Sequence, residues 1–282
     1  MQGIDVSRFQ GAINWQRVKN AGKEFAIARA GYGRLISQKD PYFDRNYNGA
    51  NEVGLPVGCY WYSYATDVAG AEAEADACLE VIAGLEFPLG VWFDQEYEPA
   101  IVALTNTQRT AIIQTFLERI KQAGFIAGLY CSADWLRTMV NYGDLTDENL
   151  WIAQYGATLN APLPVNLWQY SDTGRVSGIQ GNVDLDQLFT PPTGGSTQGG
   201  MLPLGTETLR RGDTGVYVRN LQIILTELGY APGAIDGIFG AFTESAVMAF
   251  QRAAGLTPDG VVGPQTRAAL EQAWNQITCQ QK

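Results

Sequence analysis

Eight short runs of apolar, aromatic and small residues recur along the first two thirds of the chain. They are Gly3 to Ser7, Phe25 to Gly31, Val57 to Ala65, Leu89 to Glu96, Ile126 to Ser132, Leu150 to Tyr155, Asn166 to Tyr170 and Asn182 to Asp186. Runs of this length and composition predict strands. Helical patterns lie between them. One spans Ala69 to Leu85. In another, TQRTAIIQTFLERIKQAG, Ile112, Ile113, Phe116, Leu117 and Ile120 make an apolar stripe, and Gly124 supplies a stop. Alternation of strand and helix predicts a parallel sheet, and eight strand candidates favour its closure into a barrel. The last connections differ. Residues 156–165 and 171–181 hold Pro162, Pro164, Gly174, Gly178 and Gly181, and a parallel crossover through a helix needs about a dozen residues or more. The last strands are therefore expected to pair as antiparallel hairpins. The result is an irregular α/β barrel of about five β/α units followed by three strands, a (β/α)5β3 arrangement.

A boundary follows. TPPTGGSTQGG, Thr190 to Gly200, is rich in Pro, Gly, Ser and Thr and lacks apolar periodicity, which reads as a flexible linker. We expect a first domain over residues 1–189, a linker over 190–204, a second domain over 205–272 and a tail over 273–282. The second domain carries a repeat. Asp236-Gly237-x-x-Gly240-x-x-Thr243-x-x-Ala246 returns as Asp259-Gly260-x-x-Gly263-x-x-Thr266-x-x-Ala269. Each copy reads as a turn followed by a helix start, with Pro264 at a first helical position. Val218, Leu221, Leu225 and Leu228 fall on one helical face ahead of them. Three short helices around two Asp-Gly turns are expected.

Composition then narrows the chemistry. The chain of 282 residues is 46% hydrophobic and has no histidine. A Ser-His-Asp hydrolase, a Cys-His protease and a His-ligated zinc amidase are excluded, because each needs an imidazole. Proton transfer falls to Asp, Glu, Tyr, Lys or Cys. The four cysteines, Cys59, Cys78, Cys131 and Cys279, have no metal-ligand spacing, so packing roles are expected. No cofactor or metal is implied. A net charge of −10 argues against nucleic acid and anionic membrane as partners. No apolar run reaches the roughly 18 residues that a membrane span needs. The start, MQGIDVSRFQ, has neither a basic nor an apolar leader segment. We therefore expect no signal peptide, synthesis in the cytoplasm of the producer and release to the outside by another agent, such as a holin-type pore.

The most informative motif is VWFDQEYE, Val91 to Glu98. Residues two apart on a strand share a face, so Asp94 and Glu96 are expected side by side at a strand's C-terminal end. Repulsion and partial burial raise the proton affinity of one of them. An acid beside a carboxylate is what glycoside cleavage needs. A solvated strand end would look the same. Barrel closure, however, brings Asp5 of the first strand and Asp184 of the last towards them, where barrel enzymes gather catalytic groups. Tyr60, Tyr62, Tyr130 and Trp168 are candidate stacking surfaces for sugar rings, or else plain barrel core.

These motifs in order, with GIDVSRFQGAINW, GCYWYSYA and WQYSDTGRVSGIQGNVDLD, resemble the glycoside hydrolase family 25 lysozymes over the whole first domain. The resemblance implies an irregular (β/α)5β3 barrel and retaining cleavage of the β-1,4 bond between N-acetylmuramic acid and N-acetylglucosamine in bacterial peptidoglycan. It implies Glu96 as general acid/base. Asp94 becomes its partner, either stabilising positive charge or orienting the 2-acetamido group as internal nucleophile, with Asp5 and Asp184 completing an acidic floor. Gln95 departs from the apolar residue usual between the two acids and is expected to affect packing. LRRGDTGVYVRNLQIIL, AIDGIFGAFTESAVMAFQ and TPDGVVGPQTRAAL resemble the three-helix peptidoglycan-binding module. A lytic enzyme of this kind suggests a phage endolysin, or a bacterial autolysin. A barrel that binds wall without cleaving it, or one that acts on another amino-sugar polymer such as chitin, are the competing readings. No obligate protein partner is implied.

Overall fold

The computed structural model describes residues 1–194, 204, 208–214 and 216–279. The chain forms two compact units, with a barrel in the first and helices in the second. Most of the expected linker, residues 195–203, lies outside the described residues.

The barrel strands are β1 (Gln2–Val6), β2 (Phe25–Tyr32), β3 (Val57–Tyr62), β4 (Val91–Asp94), β5 (Ala127–Ser132), β6 (Asn149–Ala153), β7 (Leu167–Gly174) and β8 (Val183–Leu188). Helix α1 (Trp15–Asn20) leads into β2, α2 (Phe43–Glu52) into β3 and α3 (Val68–Val81) into β4. The short α4 (Pro99–Val102) and long α5 (Asn106–Gln122) lead into β5, and α6 (Ala133–Thr138) towards β6. Strand order follows chain order, and the sheet closes on itself. Pairing is parallel from β1 through β7, and β8 runs antiparallel to both β7 and β1.

This corrects the expectation of hairpins for all the late strands. The connection over 154–166 returns β7 parallel to β6 with no helix. Its prolines, Pro162 and Pro164, favour extended backbone, so the segment covers the distance that a helix would otherwise span. Only the connection over 175–182 makes a hairpin.

Buried strands with both faces covered explain the continuous apolar runs. In β4, Phe93 faces outward against Phe116 of α5, at 4.4 Å between ring centroids. Trp92 faces inward and joins Phe25, Ile27, Tyr130, Trp151, Leu167 and Leu188 in one buried cluster. Burying such side chains contributes roughly 1.5–3 kcal/mol each. The inward aromatics need room, and glycines supply it. A Cβ on Gly128 would stand inside the Trp92 ring, and one on Gly3 inside the Phe25 ring. Gly128→Val is therefore expected to destabilise the barrel by about 1–3 kcal/mol through overpacking, read as a lower midpoint in urea. A variant as stable as the native chain would show slack around Trp92.

Period-two alternation then dictates the next layer. Residues two beyond these inward apolar positions also face inward, nearer the mouth. They are Asp5 after Gly3, Arg29 after Ile27, Asp94 after Trp92, Ser132 after Tyr130 and Gln169 after Leu167. In the antiparallel β8 the order is reversed. Asp184 pairs directly with Asp5, while Asp186 pairs with Gly3 one layer deeper.

The second unit contains α7 (Val216–Glu227), α8 (Ala241–Ala253) and α9 (Pro264–Cys279). They pack around Val218, Leu221, Leu225, Phe239, Val247, Phe250, Leu270 and Trp274, with Leu228 partly buried at the edge. The two Asp-Gly turns are built alike. Asp236 accepts the Ile238 N–H and Asp259 the Val261 N–H, each at 2.9 Å. Gly237 and Gly260 adopt positive φ, at 72° and 75°. Each turn is also clamped by a buried glutamine. The Gln222 amide oxygen accepts the Gly237 N–H, and its Nε2 reaches Asp236, the Ile238 carbonyl and Thr243. Gln251 does the same with Gly260, Asp259, the Val261 carbonyl and Thr266. Gln251→Ala would strand buried polar groups at about 1–3 kcal/mol apiece. Thermal melting of residues 204–282, expressed together with the barrel, is expected to lose a separate transition or shift it down, and an unchanged melt would argue against the clamp.

Candidate active site

Asp5, Asp94, Glu96 and Asp184 line one cavity of about 230 Å³ at the barrel mouth, together with Tyr60, Tyr62 and Tyr130. Strand β4 ends at Asp94, so Glu96 reaches the cavity from just beyond the strand. Gln95 between them turns away and is fully buried, accepting the Trp135 indole N–H at 3.2 Å. It packs, as expected.

Trp168 does not line this cavity. Its indole N–H donates to the Gln154 carbonyl at 2.7 Å, and its ring packs against Tyr170 and Phe189. The expectation for Trp168 is corrected by alternation. Leu167 and Gln169 are the inward positions of β7, and Trp168 faces the other way. Gln169 is the residue missed. Its Nε2 donates to Asp5 at 2.8 Å, and its Oε1 accepts the hydroxyls of Tyr130 at 2.9 Å and Tyr155 at 3.1 Å. A glutamine inside an otherwise apolar inward stripe was the available signal. Arg29 was also missed. It lines the cavity but is held by Asp40 at 2.6 Å, whose side chain is fully buried. Four carboxyl groups thus face one guanidinium that is already paired.

Two like charges about 5 Å apart at an effective dielectric near 20 repel by roughly 3 kcal/mol, more than two decades in proton affinity. The four acids therefore do not all ionise together at neutral pH. Burial, then the Glu96 charge, pushes Asp94 well above the usual carboxylate range, with Arg29 opposing. Burial and the charges of Glu98 and Asp184 raise Glu96, while the Tyr130 hydroxyl lowers it. Burial raises Asp5, with Asp186 and Asp184 adding to it. Asp184, nearer solvent, is pushed by burial to about 6.

Glu96 also lines a second cavity of about 230 Å³ with Tyr97, Tyr130, Ser132, Trp135, Ala153, Gln154 and Tyr155. Tyr97 meets Trp135 edge to face at 4.7 Å. Glu96 therefore stands in the wall shared by an acidic cavity and an aromatic one. Tyr62 donates to Glu98 at 2.7 Å, which orients its ring along the acidic side.

Comparison with known proteins places this geometry. Residues 4–179 match the family model of the glycosyl hydrolases family 25, and residues 214–270 match that of a peptidoglycan binding domain. The chain is 30% identical to an autolytic lysozyme of Clostridium acetobutylicum over 98% of this chain and 80% of the relative. Among solved structures, a bacterial lysozyme from Streptomyces coelicolor is similar with a TM-score of 0.59 and 30% identity, covering 67% of this chain and 91% of that one. The CTP1L endolysin is similar with a TM-score of 0.60 and 27% identity, covering 67% of this chain and 66% of that one. With the match running through Asp5, Asp94 and Glu96, the chain belongs to family 25 of the glycosyl hydrolases.

Proposed function

We propose that this protein is a lysozyme that hydrolyses the β-1,4 bond between N-acetylmuramic acid and N-acetylglucosamine in bacterial peptidoglycan. The carrying observation is Glu96 in the wall between the two cavities. A glycan crossing that wall places its glycosidic oxygen beside Glu96, with one sugar over the acids and the next against Tyr97, Tyr155 and Trp135. The protonated Glu96 gives its proton to the leaving oxygen as the C–O bond breaks. Glu96 then removes a proton from the water that attacks the anomeric carbon, which restores the acid. The net result is retention, if the first displacement comes from the opposite face.

Asp94 is buried, and its Oδ1 has no hydrogen-bond partner. A group held that way suits an acceptor for the 2-acetamido N–H, whose carbonyl oxygen then attacks as internal nucleophile. Direct attack by Asp94 is the second reading. Because Asp94 and Glu96 interact, their protons belong to the pair. The helical unit is the wall anchor, and tethering raises the concentration of the barrel at its insoluble substrate. Both an autolytic lysozyme and an endolysin are among the similar proteins, and we favour release from the producing cell for lysis, as in an endolysin.

Mass spectrometry of digested, purified cell wall tests the activity. Fragments ending in reducing muramic acid are expected. Reducing glucosamine ends, or free stem peptides, would overturn the assignment, and activity on chitin alone would favour the other polymer.

A further inference from the structure

In the wall of the acidic cavity stands an aromatic ring that the reaction just described does not use. Phe9 lines that cavity and is 73% exposed. A lone apolar side chain in water needs no explanation in itself. This one is held in place. It belongs to a single 3-10 turn, Arg8–Gln10, that follows β1. Ser7 Oγ accepts the Phe9 N–H at 3.3 Å, and Gln10 Oε1 accepts the Ser7 N–H at 2.8 Å, so the turn is capped reciprocally. Asp40, whose side chain is fully buried, accepts the Arg8 N–H at 3.1 Å and the Arg29 Nε–H at 2.7 Å. The guanidinium carbons of Arg8 and Arg29 each lie 5.1 Å from the centre of the Phe9 ring, within the range of cation–π attraction. A ring fixed in this way loses little freedom when a ligand covers it.

The two cations differ. Arg29 is paired with Asp40. Arg8 is exposed, and among the described residues its guanidinium forms no ion pair with a carboxylate. The cavity itself has the opposite character, with Asp5, Asp94, Glu96 and Asp184 in its lining. An anionic group on a bound sugar is repelled from those acids and drawn outward to Arg8.

We propose that Phe9 and Arg8 form a binding platform that selects the muramyl unit: Phe9 receives the apolar face of the sugar ring, and Arg8 a carboxylate on the lactyl or peptidyl arm that this sugar carries. Sugar C–H groups are slightly positive and suit the negative face of an aromatic ring. A guanidinium matches a carboxylate with two parallel hydrogen bonds. Glucosamine units, in peptidoglycan or in chitin, lack the arm. The platform therefore tells the two polymers apart and draws the muramyl unit over the acids. The run GIDVSRFQ carries both residues, but its strand pattern ends at Val6 and marks neither. Only the closed turn sets them beside the cavity.

The proposal deepens the lysozyme reading and rests on it for the polymer that is cut; binding of an acid-bearing amino sugar is read without turnover. The full chain is labelled with fluorophenylalanine, and the Phe9 signal among its 11 phenylalanines is identified by its loss in Phe9→Ala. N-acetylmuramic acid is expected to shift that signal with an affinity at least ~3-fold above that of N-acetylglucosamine, within the range of an exposed ion pair. In Arg8→Gln the preference should fall below ~1.5-fold. Turnover on soluble peptidoglycan strands is measured beside it. Phe9→Ala should raise KM at least ~5-fold with kcat within ~2-fold of native, as for binding shared by ground and transition states. Phe9→Trp should keep KM near native, whereas Phe9→Leu, with apolar bulk but no ring, should resemble alanine. A Phe9 signal that neither sugar moves, a preference unchanged in Arg8→Gln, or an alanine variant with native KM would each overturn the proposal. Should alanine melt lower than native, the comparison of leucine with tryptophan decides. Should native enzyme release no reducing ends, the lysozyme reading fails, and the labelled ring still reports whether the platform binds. A silent ring in an enzyme that cleaves removes the platform and leaves the lysozyme reading standing.

Discussion

Glu96→Gln is expected to lower turnover on peptidoglycan by about 10²–10⁴-fold, the usual contribution of a general acid/base. Glutamine keeps the shape of the side chain and the wall between the two cavities, but it has no proton to give the leaving oxygen. Binding to insoluble cell wall should persist, because the helical unit is untouched. Turbidity loss and wall sedimentation, measured on the same preparation, separate the two. Lysis at the native rate would remove Glu96 from the mechanism. Loss of both lysis and wall binding would point instead to misfolding.

Asp94→Asn carries the second largest effect, and its sign differs between activity and stability. Turnover should fall by about 10²–10³-fold, the scale seen when an electrostatic partner of the transition state is removed. The folded chain should gain stability at neutral pH. Asp94 is buried and its proton affinity is raised in the fold. Ionising it is harder there than in the unfolded chain, so native stability declines as pH rises above the ordinary carboxylate range near 4. Asparagine does not ionise. The two proteins should melt together at about pH 4, with the variant ahead by pH 7. Such a trade of stability against function is expected where a site keeps costly groups close together. A variant that lost activity and also melted lower at pH 7 would mean that Asp94 serves the fold.

Strand periodicity made the pair Asp94 and Glu96 legible, although the strand stops at Asp94 and the second acid reaches the cavity from the turn. Closure of eight strands made Asp5 and Asp184 legible, because the first and last strands must meet. Gln169 and Arg29 were hidden for a plain reason. A run such as NLWQY does not reveal which of its alternating residues faces inward, and Trp168 was the more conspicuous of the two. Pairing direction between β6 and β7 was misread because connection length limits helices but does not forbid an extended return. Gln222 and Gln251 stand at different distances ahead of their turns, so no repeated spacing marked them. They are identified only when α7 and α8 lie against the turns.

The hydrogen bonds that close the barrel join the two extremes of its chain. Gln2 pairs with Gln187, and Asp5 with Asp184. Loop-closure entropy opposes such distant contacts until most of the intervening chain is in place. On a ribosome, strands β1 to β7 can associate in order as they emerge, but the seam must wait for β8. Asp5 has no neighbour at Asp184 or Asp186 before that moment. Cleft assembly and completion of the barrel are therefore one kinetic event. A chain halted before residue 183 would hold Asp94 and Glu96 and still lack the floor beneath them, so the cell that makes this enzyme meets its finished cleft only late in synthesis.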